Sequence, residues 1–284
     1  MKYLILGDMH GTMPKIHLKG FDAIIAIGDF CSTPMRPYMF EAINERKKDP
    51  NSKIEWYDIT GKEKAKEMIN EGLKAGKAIL EFLNSLKVPV YIVPGNGDYT
   101  AMPDSKWKFY AQDHFSKLVE GLENIINIHL KIKNIDDSQI IGYGISSGPE
   151  LLQYDEDKKM IKPDRLKKIE KEYESNTKKL TVLFEKAKKP LIFLSHNVPF
   201  NTDLDMIVNP ESPRNGWHYG SLIAREMIEK YQPVICMGGH MHEHFGKCML
   251  GKTVVVNAGF GPEKNVLLEI EGGKIKQLEF YKAQ

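Results

Sequence analysis

Short aliphatic and β-branched runs recur along the chain and stop at Gly, Asp, Asn or His, without passing into longer amphipathic stretches. Tyr3 to Leu6 ends at Gly7-Asp8, Ala23 to Ile27 at Gly28-Asp29, and Val90 to Val93 at Pro94-Gly95-Asn96. Leu191 to Leu194 ends at Ser195-His196, Val234 to Met237 at Gly238-Gly239-His240, and Thr253 to Val256 at Asn257-Ala258-Gly259. Runs of this length without polar alternation predict strands covered on both faces. Val266 to Ile270 and Ile275 to Phe280 flank Gly272-Gly273 and predict a β-hairpin. Ile125 to Ile132 and Gln139 to Tyr143, about the polar turn Asn134 to Ser138, predict a second strand pair.

Helical spacing is clearest from Pro163 to about Lys188, where Leu166, Ile169, Tyr173, Leu180, Phe184 and Ala187 recur and Pro163 suits a first turn. The Lys and Glu residues between them read as a solvated face. Further helices are predicted from Glu63 to about Leu86 and from Gly220 to Lys230. Two stretches, Cys31 to Thr60 and Asn197 to Tyr219, read as long irregular loops; both follow strand ends with chemically competent side chains, where long loops usually serve function. With no repeat, low-complexity tract or Pro/Ser-rich linker, residues 1–284 are expected to form one domain.

Composition narrows the class. At 42% hydrophobic and 27% charged residues the chain is an ordinary globular protein. Its formal net charge of +2 and the lack of a basic, aromatic-interleaved tract argue against a nucleic-acid partner. The apolar run at the N-terminus is too short for a signal core or a membrane span, and Cys31, Cys236 and Cys248 lack C-x-x-C spacing. A cytoplasmic, reducing setting without membrane contact is expected.

The strand ends carry the candidate chemistry: Asp8 and His10, Asp29, Asn96, His196, and His240 with His242. Each alone is an ordinary cap or turn residue, but side chains just past the carboxyl ends of such strands converge in space. Asp8-Met9-His10, Gly28-Asp29, Gly95-Asn96-Gly97-Asp98, Ser195-His196 and Gly239-His240-Met241-His242 follow the order and spacing of the calcineurin-like metallophosphoesterases, a resemblance running from Tyr3 to about Gly261. It implies an α/β four-layer sandwich, two mixed β-sheets packed face to face with helices outside. It further implies that Asp8, His10, Asp29 and His242 hold one divalent metal and that Asp29, Asn96, His196 and His240 hold a second. The metals would be drawn from Mn, Fe, Zn, Ni and Co, with a metal-bridging hydroxide as nucleophile.

Gly97 departs from the family pattern, which usually has a histidine there to protonate the leaving group. Loss of that acid matters most for poor alkoxide leaving groups. The expected reaction is hydrolysis of a small-molecule phosphoester, a phosphodiester in the first instance. Phosphomonoesterase, nucleotidase or protein phosphatase activity is the alternative, followed by a nuclease or a non-catalytic metal-binding scaffold. Asp98 and His218 are the candidate acid/base residues, with His244 a further proton source and Arg36 and Arg214 candidate phosphate contacts. Trp217 and Phe200 either line a pocket or anchor their loop. His17, His114 and His129 lie away from every motif.

Overall fold

The computed structural model describes residues 1–282 except 50, 160, 189, 211 and 213. Its strands form two six-stranded mixed sheets. The first runs β12(Lys274–Lys282), β11(Lys264–Glu271), β1(Lys2–Leu6), β2(Ala23–Ala26), β3(Val90–Ile92), β4(Ile125–Asn127). The second runs β5(Ile132–Ile135), β6(Ser138–Tyr143), β7(Leu191–Asn197), β8(Ile235–Gly239), β10(Thr253–Asn257), β9(Gly246–Leu250). β1 to β4 are parallel, as are β6, β7, β8 and β10, while β11–β12, β5 and β9 pair antiparallel at the margins.

Alternate residues of each run serve different layers, which is why the runs show no polar phase. Tyr3, Ile5, Ile25 and Ile27 face Ile192, Leu194, Met237 and Val256 across the gap between the sheets. Leu4, Leu6, Ile24 and Ala26 point the other way, onto Ile79, Leu80 and Leu83 of α3(Lys62–Ser85). On the far side, Phe193, Cys236 and Val255 pack against α6(Pro163–Lys186) and α7(Leu222–Tyr231), and the Ser221 hydroxyl caps α7 by accepting from Ala224 N. The four-layer order implied by the resemblance is the one observed.

Two local expectations change, and three elements carry no clear sequence signal. Ile125 to Ile132 is not one strand: β4 closes the edge of the first sheet, and the chain then crosses so that β5 pairs β6 in the second. The stretch from Cys31 to Thr60 is not irregular throughout, since it contains α1(Arg36–Lys48), with Pro at its start and basic residues in its last turn, and α2(Trp56–Thr60). β9 was unmarked because an edge strand with alternating exposure, interrupted by Gly246 and Lys247, lacks the continuous apolar run of the central strands. The short helices α4(Phe115–Val119) and α5(Asp155–Lys159) also went unmarked.

The crossing between the sheets is pinned by His129, whose Nδ1 accepts the Gly144 N–H at 2.9 Å. Burial, reinforced by the charges of Lys131 and Lys179, pushes its pKa down to about 4. A folded-state pKa below the unfolded value stabilises the fold above about pH 6.5 and loses that contribution as pH falls toward 4. The stability gap in urea between the wild type and His129→Asn, which keeps an acceptor but does not titrate, should therefore narrow between pH 7.5 and pH 4. A constant gap would exclude this role.

Candidate metal centre

Five strand ends meet at one edge of the sandwich. Asp8 and His10 follow β1, Asp29 follows β2, Asn96 follows β3, His196 lies in β7, and His240 and His242 follow β8. Asp8, Asp29, His196 and His240 form one group with ligand atoms all within 4.8 Å of one another, and Asp8, His10 and His242 form another.

Several donors are held by unusual backbone. His10, Asp29 and His240 have φ of 45°, 50° and 66°, left-handed values that cost energy in residues with a Cβ. Hydrogen bonds fix them there. The Asp29 carbonyl accepts Met9 N at 3.1 Å and His10 N at 2.7 Å, and Asp8 Oδ2 accepts His240 N at 2.9 Å. Two glycines permit this closeness: a Cβ on Gly95 would lie 2.0 Å from Asp29 Oδ1, and one on Gly239 would lie 2.4 Å from Asp8 Oδ1.

The two groups share Asp8, and the Asp29 carboxylate reaches toward a histidine of each. Its Oδ2 lies 3.6 Å from His10 Nε2, while its Oδ1 lies 3.7 Å from His196 Nε2 and accepts Gly97 N at 2.7 Å. His196 Nδ1 donates to the Ile27 carbonyl at 2.9 Å, which leaves Nε2 as a lone pair facing Asn96 Oδ1, another acceptor, at 2.9 Å. His10 Nε2 and His242 Nε2 converge to 3.2 Å, and Asp8 Oδ2 lies 2.9 Å from His242 Nε2. Asp8 Oδ1 is buried with no hydrogen-bond partner among the described residues.

Converging lone pairs and an orphaned buried carboxylate oxygen are what a cation between them would satisfy. The donor set of imidazole, carboxylate and amide oxygen fits borderline divalent metals.

The electrostatics agree. Burial alone would raise the Asp8 pKa, but the His242 hydrogen bond and the neighbouring imidazoles outweigh it and hold the group at about 2, so Asp8 is a carboxylate. Burial, helped by His196, pushes His240 down to about 4 and keeps it neutral. Burial likewise lowers His10 against the pull of Asp29 and Asp8. For His196 the burial effect is overcome by Asp29, Asp8 and the Ile27 bond, and its pKa rises.

Asp98 and His218, the expected acid/base pair, are not among the residues that line the cleft above this cluster. Asp98 is fully buried and accepts Gly95 N at 2.8 Å and Cys31 N at 2.9 Å, tying together the turns after β2 and β3. Burial and the Asp29 charge raise its pKa to about 7. His218 Nδ1 is bound to Asp205 Oδ1 at 2.7 Å, and His244 Nε2 to the Met206 carbonyl at 2.7 Å. Trp217 stacks on Tyr154 at 4.1 Å, and the Phe200 ring meets His218 edge-on, so both anchor the loop. Arg36 and Arg214 do line the cleft; Arg214 is paired with Asp157 at 2.6 Å.

Sequence reading missed two contributors. Asn257, at the end of β10, donates to the Met241 carbonyl at 2.9 Å and so positions the turn between His240 and His242; its place at a strand end was the available signal. The other is the cleft wall built from α1, hidden because that segment read as a loop.

Residues 7–280 match the family described as "Metallophosphoesterase, calcineurin superfamily". One solved structure aligns over 100% of this chain and 99% of its own at TM-score 0.61 and 16% identity. TT1561 of Thermus thermophilus aligns over 100% and 99% at TM-score 0.55 and 16% identity. The phosphopantetheinyl hydrolase PptH from Mycobacterium tuberculosis aligns over 92% and 90% at TM-score 0.51 and 10% identity. At these identities the likeness is one of fold. Comparison with curated proteins gives no match.

Gly95→Ala should be destabilised by about 3 kcal/mol in urea melts, because its Cβ collides with Asp29. Gly246→Ala, with nothing within 4 Å of the added carbon, should stay within about 0.5 kcal/mol of wild type. Equal losses in the two variants would contradict the close-approach argument.

Proposed function

Because the chain belongs to the calcineurin superfamily of metallophosphoesterases, a family of phosphoester hydrolases, we propose that its strand-end cluster holds two divalent cations and hydrolyses a phosphodiester. The carrying observation is the splitting of the Asp29 carboxylate, one oxygen toward His10 and the other toward His196, which suits a residue shared between two ions. Asp8, His10, Asp29 and His242 would hold the first, and Asp29, Asn96, His196 and His240 the second. When bound, such a pair polarises phosphate oxygens and acidifies water. The chain's own share is to keep Asp8 charged and His240 neutral, and to hold the cluster in place through Asp98, Asn257 and the Ile27 carbonyl.

Preference for a diester is supported by Gly97. It offers no proton donor, its N–H is committed to Asp29, and a Cβ there would lie 3.1 Å from Thr33 Cγ2 and 3.2 Å from Asp29 Oδ1. A leaving group that departs without strong protonation suits such a site. The interior shared by the two sheets supports treating 1–284 as one domain. The three free thiols support a reducing, cytoplasmic setting, and among the described residues no helix is long and apolar enough to cross a membrane.

Purified protein supplied with Mn²⁺ should bind two ions per chain by elemental analysis and turn over bis-p-nitrophenyl phosphate faster than p-nitrophenyl phosphate. Asp29→Ala should lose bound metal and reduce diester turnover by at least about 100-fold, the upper end of what losing a residue that merely supports a ligand costs. Faster monoester turnover would overturn the diester assignment, and full metal content in Asp29→Ala would overturn the shared-ligand assignment.

A further inference from the structure

The cleft above the cluster encloses about 630 Å³, and one of its walls is apolar. Arg36, Met39, Phe40 and Ile43 of α1 all line it. Their spacing of three, four and seven residues puts them in one stripe along a helix face. α1 has a different set of residues for its fold: Ala42 is buried, and Tyr38 packs with it on the cluster around Trp56 and Tyr57. Met39 belongs to both surfaces.

Phe40 and Ile43 therefore contribute little to the interior; they are 54% and 38% exposed, and Met102 beside them in the cleft is 45% exposed. Among the described residues nine large hydrophobic side chains are exposed, and these three line the cleft that reaches the metal-ligand cluster. Apolar side chains such as Phe40 and Ile43, turned to solvent inside the cleft and not into the interior, mark a binding surface.

Charge gives the stripe a direction. Arg36 stands at its inner end: its backbone N–H donates to the carbonyl of Thr33, whose Cγ2 borders Gly97 beside the Asp29 carboxylate, and it forms no ion pair among the described residues; its guanidinium lies 5.7 Å from the Phe40 ring centre. From Arg36 outward the surface is uncharged through Met39, Phe40 and Ile43. An anionic head beside Arg36 and the cluster, with an apolar tail laid outward along α1, complements that order.

We infer that this face of α1 seats the organic group of the substrate, and that the substrate class is a phosphoester carrying an extended apolar chain. The seat rests on the phosphoesterase reading for its head-group end. The seven helical rises from Arg36 to Ile43 span about 10 Å, the length of about eight methylenes.

The test is a ladder of n-alkylphosphonates from methyl to dodecyl, titrated by calorimetry into the Mn²⁺-loaded protein, with bis-p-nitrophenyl phosphate turnover measured on the same sample. Affinity should rise roughly two- to fourfold per methylene up to about eight carbons and then level off. Phe40→Ser and Ile43→Ser, both at exposed positions, should flatten the ladder, while Phe40→Leu should retain it. A flat ladder in wild type, a slope unchanged in both serine variants, or tighter binding of a nucleoside phosphonate than of octylphosphonate would overturn the assignment. A ladder without diester turnover would leave the seat standing and refute the reaction; turnover with a flat ladder would do the reverse.

Discussion

One buried residue ties the functional edge of this molecule together. Asp29 accepts two N–H groups of the turn after β1 through its carbonyl and one from the turn after β3 through its carboxylate, and it presents that carboxylate to histidines from β1 and β7. Four strand ends from both sheets thus meet on a single side chain at the mouth of an apolar interior. A charge placed there without hydrogen bonds or counter-charge would be prohibitive. The strand-end turns supply the hydrogen bonds, and the surrounding Asp and His side chains form a group that could hold a metal ion, so the local backbone geometry and the chemistry of the site share one electrostatic requirement.

The sandwich explains why that requirement can be met. Each sheet is covered on both faces, so its parallel strands can offer polar side chains to a common crevice only at their carboxyl ends. The outer helices hold the sheets' backs, and the turns are left to carry donors, glycines and buried supports such as Asp98 and Asn257. Support and chemistry are accordingly distributed between different residues: Asp98 spaces the turns from within, while Asp29 lines the opening.

Much of this was legible in the sequence, for physical reasons. The central strands announce themselves because both faces are buried and the apolar runs are continuous, and the donors stand out because they interrupt those runs at the same relative point. The reading failed where one segment serves two environments. α1 spreads its apolar residues between the interior and the cleft, so no single stripe is visible and the segment looked irregular. Ile125 to Ile132 looked like one strand because its apolar positions continue across the passage from one sheet to the other. His218 drew attention as an unassigned imidazole in a long loop, but its partner is the buried carboxylate of Asp205, which no local pattern reveals.

The left-handed backbones of His10, Asp29 and His240 bear on how such a protein changes over generations. At those positions the fold by itself favours glycine, because only glycine adopts the conformation without steric cost. Replacing a donor there trades chemistry for conformational ease, so the slope of stability runs toward loss of the site. A lineage released from the need for activity would be expected to shed these donors first while keeping its sheets intact.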